Sequence, residues 1–282
     1  MSFSCCEFAK MAFVSILLIV VLLSTCDFLR RMIRANASPS LTRNLILDFL
    51  ISVELCATSF ELGAVLDEYG LAIWSFGLFL VVVYQVLRWK DYSAPTPHEH
   101  LMAHLEGGIG VGEAILRSGV LLAAGLVSYR LAKAVWRLEF STLHVGRPGL
   151  LDACVFPWID VPWHQSFLSE AIGSFVLGIG PRLVGDSPTL ANNDPIYSAV
   201  AISIMVTVAV VIAIPISGGM FNPMLASVLL GGCEGHTTLE HILIYYVGAT
   251  VGAVAAFKVY PMVEKAVYGS AAPAQSPEKK EK

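Results

Sequence analysis

Ser217-Gly218-Gly219-Met220-Phe221-Asn222-Pro223-Met224-Leu225-Ala226 is the stretch whose reading decides the fold. Gly218 and Gly219 close an apolar run, Asn222 can cap a helix, and Pro223 suits the first helical position. The apolar body from Met224 to Leu230 meets Gly231-Gly232 and then Glu234, Gly235 and His236. A membrane-spanning helix needs roughly 20 apolar residues, so this segment is too short to cross. It reads as a re-entrant half-helix, a form tolerated at membrane depth where its end lines a polar cavity. The stretch points to a pore.

Working outward, 56% of the 282 residues are hydrophobic and 14% are charged, which excludes a soluble domain and leaves room for about six or seven spans. A net charge of -4 argues against a nucleic-acid partner. Cys5, Cys6, Cys26, Cys56, Cys154 and Cys233 show neither zinc-ligand nor disulfide-framework spacing, and are expected mostly as small core hydrophobes.

The first apolar run, 11–26, is followed by Asp27, Arg30, Arg31 and Arg34. Because the basic cluster lies after the run, an uncleaved anchor is favoured over a signal peptide, with the arginines and Arg43 on the cytosolic side. Further spans are expected at 45–66, 71–87, 111–136, 165–183, 195–216 and 239–260. Asp48, Glu54 and Glu61 interrupt the first of these, and such acids face a bundle interior. A second short helix is expected after Pro95 and Pro97, ending at Gly107-Gly108. The connection 137–164 is expected to be structured and non-cytosolic. Gly248 and Gly252 have the spacing of a close helix contact. The tail 263–282 is expected to be disordered and cytosolic. Its Lys279-Lys280-Glu281-Lys282 end resembles a dilysine retrieval signal or is simply a solubilising charged tail.

The order of span, span, half-helix and span occurs twice, with Asp48 and Glu170 as acids near the start of each unit. Three full spans per unit require the copies to be inverted, so the paired half-helices meet at the membrane midplane.

These residues resemble the aquaporin (major intrinsic protein) family, over a channel unit at about 43–262 that follows an N-terminal segment and linker at 1–42. The departures resemble its divergent aquaporin 11/12 branch. Ala94-Pro95-Thr96 stands where the family has Asn-Pro-Ala, and Met224 replaces the second Ala after Asn222-Pro223. Cys233 resembles the downstream cysteine of that branch, with packing, folding and assembly roles all open. The resemblance implies an all-α bundle of six spans and two re-entrant half-helices plus the extra N-terminal helix. It further implies a homotetramer in an endoplasmic reticulum or other intracellular bilayer, with no cofactor and no enzymatic activity.

Carried over by position, the selectivity filter is Trp74, Val210, Gly219 and Leu225, without the family's His and Arg. Such an apolar constriction implies slow water passage and room for small neutral solutes such as glycerol or hydrogen peroxide. Asp48 and Glu170 are expected as structural acceptors for backbone N–H groups of the half-helices. Two other readings stand beside this one. Ala94, Met224 and Leu225 could belong to a closed, non-conducting assembly protein. His100 and His104, four apart on one helix face near His98 and Glu99, have metal-ligand spacing and could serve an intramembrane metalloenzyme.

Overall fold

The structure, a computed structural model, describes residues 5–89, 95–191 and 194–269. Ala94 and the Lys279-Lys280 end lie outside the described residues. The chain runs through α1 (Cys5–Asn36), α2 (Leu41–Trp89), α3 (Pro97–Leu105) and α4 (Val111–Trp136). It continues through α5 (Trp163–Asp186), α6 (Pro195–Ser217), α7 (Pro223–Leu230) and α8 (Thr238–Tyr268). Among the described residues, six helices are long and apolar enough to cross a membrane: all of these except α3 and α7.

α2 supplies two crossings. At 49 residues it would measure about 74 Å if straight, against a hydrocarbon core of about 30 Å. Gly70 breaks it with φ 75° and ψ 177°, a conformation open essentially to glycine alone. The arms then run antiparallel, because the Trp89 indole Nε1 donates to Glu54 Oε1 at 3.1 Å although the two are 35 residues apart. The expected boundary between spans at 66–71 therefore falls on a glycine hinge.

α1 lies antiparallel to the first arm of α2. Cys26 packs with Val53 and with Ala124 of α4, and Tyr84 Oη donates to the Leu23 carbonyl at 3.4 Å. Arg30 of the basic cluster turns inward, where it is fully buried and donates to the equally buried Glu54. Asp27 similarly accepts from Arg31 and Arg88. Buried charges need such partners, which is why this part of the cluster turns inward. The opposite face of α1, with Ile16, Leu17, Val20 and Val21, is exposed and apolar, as a lipid-facing surface must be.

The close contact forecast by Gly248 and Gly252 is between α8 and α5. A Cβ on Gly252 would lie 2.0 Å from the Ala171 carbonyl oxygen, and one on Gly248 would lie 3.0 Å from that of Phe167. Backbone oxygens cannot rotate aside. Gly252→Ala is therefore expected to cost about 3 kcal/mol and Gly248→Ala less. Thermal unfolding in detergent checks this, and equal midpoints for the two variants would contradict it.

Following the chain fixes the sidedness of the half-helices. α3 enters and leaves on the side where α2 ends; α4, α5 and α6 then cross three times, so α7 enters from the opposite side.

Candidate functional site: two facing half-helix ends

The two short helices meet at their N-termini. Asn222 caps α7 from an extended conformation (φ -147°, ψ 109°), its Oδ1 accepting from Met224 N at 3.1 Å and Leu225 N at 3.5 Å. Its Nδ2 is thereby turned outward and donates to the Pro95 carbonyl at 3.0 Å. Thr96 caps α3 without a side-chain hydrogen bond, and Pro97 opens the helix. Each end carries about half a positive charge from its aligned peptides, so the meeting point repels cations.

The lead into α7 is held by one acid. Glu170, fully buried on α5, accepts from Ser217 Oγ at 2.7 Å, Met220 N at 3.1 Å and Phe221 N at 2.6 Å. Peptide planarity then aims the Gly219 and Met220 carbonyls away from Glu170. The backbone turns through positive φ at Gly218 (85°), Gly219 (62°) and Phe221 (47°). Phe221 is not a glycine, and this conformation costs it of order 1 kcal/mol. Its ring fills the space over Gly173, where a Cβ would lie 1.9 Å from Cε1. Tyr245 Oη fixes the start of the lead by donating to the Ser217 carbonyl at 2.8 Å.

The filter positions are gathered in part. Trp74 is buried with Leu62 and Val81, and Val210 packs against that cluster. Gly219 abuts the same turn, since a Cβ there would lie 3.0 Å from the Val210 carbonyl oxygen. Leu225 is half-buried and packs against the cluster that contains Cys56, Leu121 and Met224. Met224 points into that cluster, its Sδ 3.3 Å from Cys56 Sγ. The replacement at Met224 thus fills the gap between α7, α2 and α4, and its apolarity is no sign of a closed pore. Thr96 Oγ1 and Ser174 Oγ are buried without a hydrogen-bond partner among the described residues. Polar groups in that condition suit a wetted path.

The acids of the first repeat are arranged differently. Among the described residues the Asp48 carboxylate is held by Arg117 of α4, at 2.7 Å from Nε and 3.1 Å from Nη2, with His100 Nε2 3.8 Å away. Glu113 adds a 3.6 Å contact to Arg117, the helical pairing that their spacing suggests. Glu54 reaches the end of the span leading to α3, through Trp89. Glu61 accepts from Trp136 Nε1 at 2.9 Å and pairs with His144 Nε2 at 3.0 Å. His100 and His104 turn to separate partners, Ser118 Oγ at 3.4 Å and the Ile109 carbonyl at 3.0 Å. Among the described residues no group of three or more His, Cys, Asp or Glu side chains is placed to hold a metal.

Cys154 and Cys233 form a disulfide with Cα atoms 4.8 Å apart, correcting the expectation of scattered core cysteines. The sequence conceals it because the partners are 79 residues apart in different loops. Cys26 and Cys56 are free and buried, as expected.

The profile of the family described as "Major intrinsic protein" matches residues 158–280. The chain is 26% identical to "Aquaporin-11" of Milnesium tardigradum over 91% of its own length and 90% of the relative's. It is 30% identical to "Putative aquaporin-12B" of Homo sapiens, covering 72% of this chain and 66% of that one. Its fold matches the X-ray structure of the aquaglyceroporin from Plasmodium falciparum with a TM-score of 0.64, at 14% identity, over 80% of this chain and 99% of that chain. With two half-helices meeting end to end inside a six-span bundle, and with these relatives, the chain belongs to the major intrinsic protein (aquaporin) family, in the branch similar to aquaporins 11 and 12.

Proposed function

We propose that this protein is a passive membrane channel for water that also admits small neutral solutes such as glycerol and hydrogen peroxide. The observation that carries the reading is the Asn222 amide donating to the Pro95 carbonyl between the two half-helix ends, with Glu170 turning the adjoining carbonyls away from itself. Donors and acceptors in that sequence replace the hydration of a neutral solute, while the paired positive ends disfavour protons and cations. No proton or group transfer is required, in keeping with a channel rather than an enzyme.

Selectivity rests on an apolar constriction at Trp74, Val210, Gly219 and Leu225. Without a guanidinium there, water gains no strong hydrogen-bond donor and larger neutral solutes meet no cationic barrier. The channel unit spans 43–262, and the protein works as a homotetramer in an intracellular membrane with its C-terminus in the cytosol. The disulfide supports placing the α4–α5 loop and the exit of α7 on the oxidising, lumenal side.

Stopped-flow measurements on proteoliposomes test this, with permeability to water, glycerol and peroxide expected above that of empty vesicles. Permeabilities equal to the lipid background would refute it. Leu225→Arg is expected to lower glycerol permeability about tenfold while sparing water, because the added cation narrows and polarises the constriction.

A further inference from the structure

The α4–α5 loop is built onto the exit of the second half-helix rather than lying loose above it. Beyond the Cys154–Cys233 disulfide, Phe156 N donates to the Glu234 carbonyl at 2.9 Å and Glu234 N donates to the Cys154 carbonyl at 3.0 Å. The buried Phe156 ring stacks on His236 with centroids 3.9 Å apart and planes 9° apart. Burial holds the His236 imidazole below its ordinary pKa, which keeps this stack uncharged near neutral pH. Trp158 then meets Phe156 edge-on at 5.5 Å.

The position of that indole is the unexplained feature. A Cβ on Gly218 would lie 2.4 Å from Trp158 Cη2 and 3.0 Å from Cζ2, so the ring presses on the backbone of Gly218. Gly218 immediately precedes filter position Gly219, on the lead that Glu170 holds through Ser217, Met220 and Phe221. Trp158 is half-buried, with Met220 packed beside it against the same core. A large planar side chain delivered from a lumenal loop onto the edge of a constriction narrows the approach to it. A tryptophan does so at low entropic cost, having only two side-chain torsions.

We propose that Trp158 is a further specificity-determining residue, forming the lumenal wall of the constriction and held in place by the Cys154–Cys233 link. Larger neutral solutes such as polyols are slowed by the indole more than water is. The inference rests on the channel reading above.

Proteoliposomes of the full chain, wild type beside Trp158→Ala, Trp158→Leu and the double variant Cys154→Ser/Cys233→Ser, test it by the ratio of glycerol to water permeability. The two Trp158 truncations are expected to raise that ratio about tenfold, the discrimination expected when an apolar pocket loses a wall. The double serine variant is expected to shift it in the same direction, because the loop loses its anchor. Trp158→Leu keeps enough apolar bulk to pack if the alanine variant folds poorly. A conducting wild type whose ratio is unchanged in the folded Trp158 variants overturns this inference and leaves the channel reading standing. A wild type no more permeable than empty vesicles overturns both.

Discussion

Glu170→Ala abolishes solute flux and strongly lowers the unfolding midpoint, as the expected result of leaving the α7 lead without its acceptor. The carboxylate accepts from two backbone N–H groups and the Ser217 hydroxyl, all in the interior. At about 1–3 kcal/mol for each of these three buried donors left unpaired, the loss is about 3–9 kcal/mol. The effect reaches transport because the same bonds set the direction of the Gly219 and Met220 carbonyls and hold Phe221 at φ 47°. Without them the strained turn relaxes and the Asn222 amide loses its register with Pro95. Glu170→Gln keeps one oxygen acceptor but turns an NH2 group toward the other donors, so it should fall between wild type and alanine. Melting curves and water permeability measured on the same preparations decide the matter. An alanine variant with native melting and native flux would remove Glu170 from the site.

Arg30→Ala is the second large effect. Arg30 and Glu54 are both fully buried, and Arg30 Nη2 also lies 3.8 Å from Asp27 Oδ1. Removing the guanidinium leaves the Glu54 carboxylate in the interior with the Trp89 indole as its remaining described partner. Breaking a buried pair in this way costs about 3–5 kcal/mol, because the surviving charge is uncompensated. The expected outcome is a lowered melting point and release of α1 from the α2 hairpin, read as new proteolysis between α1 and α2. Replacing both partners, Arg30→Met with Glu54→Gln, should recover most of the loss, since no charge then remains to be buried. A double variant as unstable as the single one would show that α1 is held by other contacts.

The sequence by itself determined the features encoded within a few residues of each other. The apolar runs fixed the spans, and Asn222-Pro223 fixed the start of α7, because capping and the proline φ restriction are local. Gly248 and Gly252 announced a close backbone approach. Acids in apolar runs, Glu54, Glu61 and Glu170, announced buried partners without naming them.

What the tertiary structure alone decided was who those partners are. Arg30 reads as part of a basic flank, and only the packing of α1 against α2 brings its guanidinium to Glu54. Asp48 meets Arg117 of another span, and Met224 turns to Cys56 in the core between the helices. Cys154 finds Cys233 only after two further crossings, α5 and α6, return the chain to the side it left. Caps and breaks are settled by neighbouring backbone dihedrals, whereas these pairings depend on the rotation of each helix about its axis. That rotation is set by the packing of the whole bundle.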